Sequence, residues 1–251
     1  IGIFFLFSFY VSGNYILNDL NDIDLDRNHP EKKYRPIASG EVSEKVAKRI
    51  AYFLLISSLL ITFINYEVEI VYLYLIYLFI AVVYTKSLKF VNFIDSIAIS
   101  TLFLIRLTIG GIVVNLDITI FLYIFTFFIS MFIVYLKKNS ILHKKLLDDN
   151  LFHKKLIDQN SKLNFKYILI MLGIATNLSL ILWSMNLTKD FSNYKWIALI
   201  AYNVIFAYII YRLINNSKKA ELEDFVFGLF KDKVLIGLLV AILILFVYFY
   251  F

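Results

Sequence analysis

The polar run NDLNDIDLDRNHPEKKYRPIASG, residues 18–40, lies between apolar stretches and holds both prolines of the 251-residue chain, Pro30 and Pro36. A mostly hydrocarbon chain that gathers carboxylates, cations and turn residues into one segment concentrates its chemistry there. Asp19, Asp22 and Asp26 fall at i, i+3 and i+7. At about 100° per residue they project within a sector of about 60° on a helix, and Asp24 points to the opposite side. Three carboxylates on one face repel one another in a low dielectric, and a hard divalent cation relieves that repulsion. Magnesium suits the position, because it keeps part of its water and binds one or two carboxylates together with the oxygens of a phosphorylated substrate. The expected ligand is a pyrophosphate bridged by the metal to Asp19, Asp22 and Asp26. A solvated acidic helix end is the plain alternative, but Lys32, Lys33 and Arg35 follow at once and rim the acidic face with cations. A calcium loop of the EF-hand type fits poorly, since Arg27 takes the sixth position instead of Gly and Lys33 the twelfth instead of Glu.

Working outward, hydrophobic residues make up 61% of the chain and mean hydropathy is +0.77, which a soluble domain cannot reach without large exposed apolar patches. Apolar runs near the length that crosses a bilayer, about 20 residues, occupy 50–66, 68–84, 91–114, 118–136, 167–187, 196–211 and 234–251. The run 1–17 begins without Met and lacks both a charged n-region and a small-residue cleavage site, so it reads as a truncated span and not a signal peptide. The expectation is an all-α polytopic transmembrane bundle, one domain over 1–251, with about eight spans covered. Placing alternate loops on one side collects all but three of the 25 Lys and Arg residues there; Lys189 and Lys195 fall opposite and Arg106 lies within a span. The motif-bearing face is therefore read as cytoplasmic, and the net charge of +6 reflects topology and not nucleic-acid binding. The absence of Cys excludes disulfides and a thiolate nucleophile, and the three His lack zinc spacing.

Asn18, Asp19, Asp22 and Asp26 resemble the NDxxDxxxD motif of the UbiA-type intramembrane prenyltransferase superfamily. His29, Pro30, Lys32, Arg35, Pro36, Ile37, Ala38, Ser39 and Gly40 are similar to the HPxKxxRPIASG pattern of its polyprenyl-phosphate phosphoribosyltransferase branch, the decaprenyl-phosphate phosphoribosyltransferases. This resemblance implies nine spans, which leaves one helix outside the sequence, and an active site on the cytoplasmic side of a bacterial plasma membrane. It also implies Asn18, Lys32 and Arg35 as substrate-binding residues. YTKSLKFVNFID, residues 84–95, resembles the family's second conserved region, YSxxLKxxxxxD, with Thr85 in place of Ser, and this brings in Tyr84 and Lys89. Snorkelling anchors are the simpler reading of those two residues taken alone. LKKNSIL at 136–142 is similar to the branch's KRxxEL segment, with Lys138 replacing Arg and Ile141 the acidic residue, which implies substrate-binding roles for Lys137 and Lys138 only.

Arg106 stands mid-span in LIRLTIGG, where an unpartnered guanidinium is costly. Asp95 is eleven residues earlier, about 16 Å along a helix axis and out of reach, so a phosphate or a carboxylate from another helix must answer it. Gly110 and Gly111 suit close helix approach. Aromatic-acceptor members of the superfamily carry a second DxxxD motif in the later cytoplasmic loop, whereas this chain offers Asp148, Asp149 and Asp158 without that spacing. The expected activity is Mg-dependent transfer of phosphoribose from 5-phosphoribosyl 1-pyrophosphate to a polyprenyl phosphate, with pyrophosphate leaving. The rival within the superfamily is prenyl transfer from a prenyl diphosphate to an aromatic or other small acceptor. A transporter, the rival from another class, lacks support because the acidic motif has no inverted counterpart in the second half.

Overall fold

A computed structural model describes residues 2–29, 32–89, 91, 93–144, 164–187, 193–218 and 225–250. Every regular element among them is helical. The helices are α1 (Gly2–Asn21), α2 (Ile23–Arg27), α3 (Glu44–Asn65), α4 (Val68–Val83), α5 (Ile94–Val113), α6 (Ile120–Lys144), α7 (Phe165–Leu187), α8 (Asn193–Lys218), α9 (Phe225–Lys231) and α10 (Lys233–Tyr250). By their contacts the described residues fall into two compact units, one up to Asp117 and one from Ile118 onward.

Six of these helices, α3 to α8, are long and apolar enough to cross a membrane, which makes the chain an integral membrane protein. The outer apolar runs behave differently. α10 runs 18 residues to Tyr250, the last described residue, and α1 is interrupted by Ser8, Ser12, Asn14 and Asn18. Its hydroxyls turn back onto their own helix, Ser8 to the Phe4 carbonyl at 2.7 Å and Ser12 to the Ser8 carbonyl at 2.8 Å, a local solution that lets polar residues sit in an apolar setting.

In the first unit Ile3, Tyr10, Val11, Leu55, Ile70, Tyr74, Tyr77, Ile105 and Ile109 form the core. The buried positions of α3, namely Ala47, Ala51, Leu55, Ser58 and Thr62, recur at helical spacing and are mostly small, so α1 can come close. A Cβ added at Gly13 would stand 2.9 Å from both the Ala51 carbonyl oxygen and Leu55 Cγ. Gly110 differs from expectation: nothing lies within 4 Å of where its Cβ would be, so it makes no close helix contact there. Outward residues such as Phe53, Ile64 and Phe79 are exposed and apolar, as a lipid-facing surface requires.

The second unit packs Phe132, Tyr135 and Leu136 of α6 against Leu169 of α7, Ile209, Ile210 and Leu213 of α8, and Leu235 of α10. Gly173 lets α7 meet Ile210, whose Cγ2 would sit 2.7 Å from an added Cβ.

Candidate active site

α1 carries the site on one of two working faces. Tyr10, Asn14, Leu17 and Asn21 line a cavity of about 460 Å³ with α3 and α4. Tyr15, Asp19 and Asp22, at i, i+4 and i+7, share another face. The helix does not run through the acidic motif unbroken. It ends at Asn21, Asp22 takes φ −96° and ψ 7°, and α2 starts at Ile23. The Asp22 amide still bonds the Asn18 carbonyl at 3.0 Å, and the Asp26 amide bonds the Asp22 carbonyl at 2.8 Å, so the interruption is local and the three carboxylates stay near one another.

The following loop folds back over them. Arg27 Nε donates to the Ala38 carbonyl at 3.2 Å, Lys32 N donates to His29 Nδ1 at 3.2 Å, and His29, Ile37 and Ala38 are buried. This places Arg35 above the acids. Its Nη1 reaches Asp19 Oδ1 at 2.7 Å and Asp26 Oδ2 at 2.8 Å. Asp22 pairs instead with Lys89 through Oδ2, and the same oxygen accepts from Asn18 Nδ2 at 3.1 Å. Thr85 Oγ1 donates to Asn18 Oδ1 at 3.2 Å. A π-helical turn, Tyr84–Leu88, continues α4 and delivers Lys89, whose amide bonds the Tyr84 carbonyl at 2.9 Å; such turns widen a helix where a side chain must be re-aimed.

Asp19, Asp22, Asp26, Asn18, Arg35 and Lys89 thus come together, with Tyr84 within electrostatic range of Asp22 and Asp95 and Lys32 within range of Asp19. Asp24, read from the sequence as pointing away, is exposed and only 3.9 Å from Arg27. Burial pushes the Asp19 carboxyl up from its ordinary range, Arg35 pulls it down, and Asp26 and Asp22 push it up further. Asp95 is buried and accepts from the Ser96 amide at 2.6 Å and the Ser96 hydroxyl at 3.0 Å.

The donor set fits magnesium in one specific respect. A single cationic nitrogen touches both Asp19 and Asp26, so these two carboxylates would hold a small hard cation in its place. Among the described residues no three acidic or histidine side chains converge on one point; Asp22 is turned to Lys89.

Lys137 and Lys138 belong to the second unit. Lys137 is exposed, and Lys138 is buried with its ammonium 5.0 Å from the Tyr135 ring centre. The second unit also holds a cluster that sequence reasoning missed. Arg212 Nη2 donates to Asp232 Oδ1 at 2.7 Å, Asn216 Nδ2 donates to Asp232 Oδ2 at 2.9 Å, and Asp232 Oδ1 accepts the amides of Val234 and Leu235 at 3.1 Å, capping α10. Arg212 and the other donors hold the Asp232 carboxyl well below the usual carboxylate range. A residue two positions before a new apolar run was the available signal. Pro30, Asp148, Asp149, Asp158 and Lys189 lie outside the described residues.

Compared with known proteins, the sequence matches the UbiA prenyltransferase family over residues 1–231. It is 31% identical over 140 residues to a decaprenyl-phosphate phosphoribosyltransferase of Mycobacterium tuberculosis, covering 56% of this chain and 46% of that protein. It is 33% identical over 117 residues to one from Mycolicibacterium smegmatis, covering 46% and 36%. A digeranylgeranylglyceryl phosphate synthase of Saccharolobus solfataricus is 28% identical over 101 residues, covering 40% and 35%. The matches span less than half the length of these curated relatives.

Proposed function

Because the chain belongs to the UbiA prenyltransferase family, we propose that it transfers phosphoribose from 5-phosphoribosyl 1-pyrophosphate to a polyprenyl phosphate at the cytoplasmic face of a bacterial plasma membrane. The observation that carries this reading is the interleaving of Asp19, Asp22 and Asp26 with Arg35 and Lys89. Acid and cation side by side suit a substrate that is itself a polyanion with bound metal. The mycobacterial relatives, named for phosphoribosyl transfer to decaprenyl phosphate, support the donor.

Asp19 and Asp26, with Asp22, would hold magnesium, which when bound supplies neutralisation of the charge that develops on the departing pyrophosphate. Arg35 and Lys89 now contact these carboxylates, and on donor binding they would turn to phosphate oxygens. Asn18 and Thr85 hold Asp22 in place while Lys89 turns. As pyrophosphate leaves, positive character grows at the anomeric carbon, and the lipid phosphate oxygen attacks. That nucleophile is already ionised at neutral pH, so no side chain has to remove a proton from it. Lys32, near Asp19, adds a further cation on the donor side, and Lys137 and Lys138 are assigned to substrate binding by their resemblance to the branch's segment.

The test is transfer by the purified protein with magnesium. Labelled phosphoribosyl pyrophosphate and polyprenyl phosphate should yield labelled lipid, and a prenyl diphosphate with 4-hydroxybenzoate should yield no product. Consumption of prenyl diphosphate with no use of phosphoribosyl pyrophosphate would reject the donor while leaving the family intact.

A further inference from the structure

Below the acidic site Arg106 holds a positive charge in the middle of α5, eleven residues from Asp95 and so about 16 Å along the axis. Its Nη2 donates to the Tyr77 hydroxyl at 2.8 Å. Its guanidinium lies 5.0 Å from the Phe103 ring centre and 5.6 Å from that of Tyr77, and Tyr15 is a second phenol within hydrogen-bonding range. Nε is buried and makes no hydrogen bond. Among the described residues no carboxylate pairs with Arg106, so the alternative of a carboxylate from a neighbouring helix of this unit is not realised. A guanidinium partnered only by neutral phenols and an aromatic face keeps its full charge and an unused donor in a low-dielectric place.

The surroundings say where the missing anion comes from. Tyr15 precedes Asp19 by one helical turn, about 6 Å, and shares its face. Side chains of α5 lean toward its N-terminal end, where Asp95 lies. The same Tyr15 is within electrostatic range of Tyr77 and of Tyr84, and Tyr84 in turn of Asp22. Arg106 therefore sits on the same side of α1 as the acids, below them, and Tyr15 and Phe103 are exposed, which leaves the cluster open to a ligand. A soluble phosphate would have to leave water to reach this depth. A phosphate on a lipid arrives with an apolar chain that belongs in the membrane.

We propose that Arg106, with the phenols of Tyr77 and Tyr15, receives the phosphate group of the lipid substrate and positions it beneath the metal and pyrophosphate site; this rests on the reading that the acceptor is a polyprenyl phosphate. Nε is the donor left for a phosphate oxygen, and a guanidinium presents paired N–H groups that a phosphate can accept together.

Binding to the full chain in lipid nanodiscs, without metal or donor, decides it. Wild type should bind a polyprenyl phosphate more tightly than the polyprenol of the same length, and Arg106→Gln should erase that difference, a loss of about tenfold or more in affinity for the phosphate form. Arg106→Lys should restore part of it, and Tyr77→Phe should weaken it less. Phosphoribosyl pyrophosphate affinity, measured with magnesium, should be unchanged in Arg106→Gln, and inorganic phosphate should not compete at concentrations that saturate the lipid. Arg106→Gln that folds, by its thermal transition, and still prefers the phosphate lipid as wild type does would overturn the proposal while the transfer reaction stood. A donor-binding loss equal to the lipid-binding loss would reassign Arg106 to the soluble substrate. Wild type that makes no distinction between polyprenol and its phosphate would remove the acceptor reading and this proposal with it.

Discussion

One nitrogen of Arg35 holds Asp19 and Asp26 together, and the Arg35→Gln substitution has two consequences that can be separated. Donor affinity should fall about tenfold or more, because a cation is lost from a site of several phosphate charges. The acid limb of the rate profile should also move to higher pH. Burial already raises the Asp19 carboxyl and Arg35 is the main influence lowering it, so without Arg35 the carboxyl rises further. The sign follows from linkage: a raised carboxyl favours its protonated form in the folded state, so its stabilising contribution is present at acid pH and lost as pH rises through the folded value. The ionised form that binds metal exists only above that value. Asp22→Asn should instead lower turnover by about a thousandfold or more with folding retained, since the charge of the leaving group develops beside it; an Arg35→Gln profile whose acid limb stays where it is in wild type, or full activity of Asp22→Asn in chelator, would contradict these expectations. That Asp19, Asp22 and Asp26 lie near one another was legible in their spacing. Their pairing was not, because Arg35 meets Asp19 sixteen residues away and Lys89 meets Asp22 sixty-seven away, and i, i+3, i+7 periodicity carries no information on either.

Glycine positions separate what an element needs from what its sequence suggests. Gly13→Ala drives a methyl against the Ala51 carbonyl and Leu55, and overpacking of this kind costs about 1–3 kcal/mol. Gly110→Ala meets open space and should be neutral or stabilising by about 0.5–1 kcal/mol, the usual gain of Ala over Gly within a helix. Thermal unfolding of the two variants in one detergent checks both, and equal transitions would refute the close approach of α1 to α3. A paired Gly-Gly in an apolar run advertises tight packing, yet Gly110 faces open space and Gly111 is buried, while a close approach lies at the lone Gly13, whose neighbours in sequence give no such hint. The same limit applies to the end of α1. Spacing alone presents a continuous acidic helix, while the backbone at Asp22 leaves helical geometry and a π-helical turn, invisible to periodicity, sets Lys89 opposite it.

At the scale of the whole molecule the helical, membrane-spanning character was plain from composition, since apolar runs of span length admit few other folds. The count was less plain: among the described residues six helices meet the full requirement, and the polar residues of α1 set it apart from them. The cation distribution gives a sidedness that can be measured without background, as the chain has no Cys: Ser43→Cys should be modified by an impermeant thiol reagent from the cytoplasm and Asp117→Cys from the opposite side, and modification of both from one side would reverse the arrangement. The ion pairs of Arg35 and Lys89 carry one more consequence, for handling the protein. Their carboxylates are already answered by charges of the chain itself, so the fold has no need of a metal to hold its acidic corner together. Extraction and storage in EDTA should leave the melting temperature unchanged, whereas the double variant Arg35→Gln, Lys89→Gln should melt lower in EDTA and recover when magnesium is restored, turning a ligand of the reaction into a ligand of the fold.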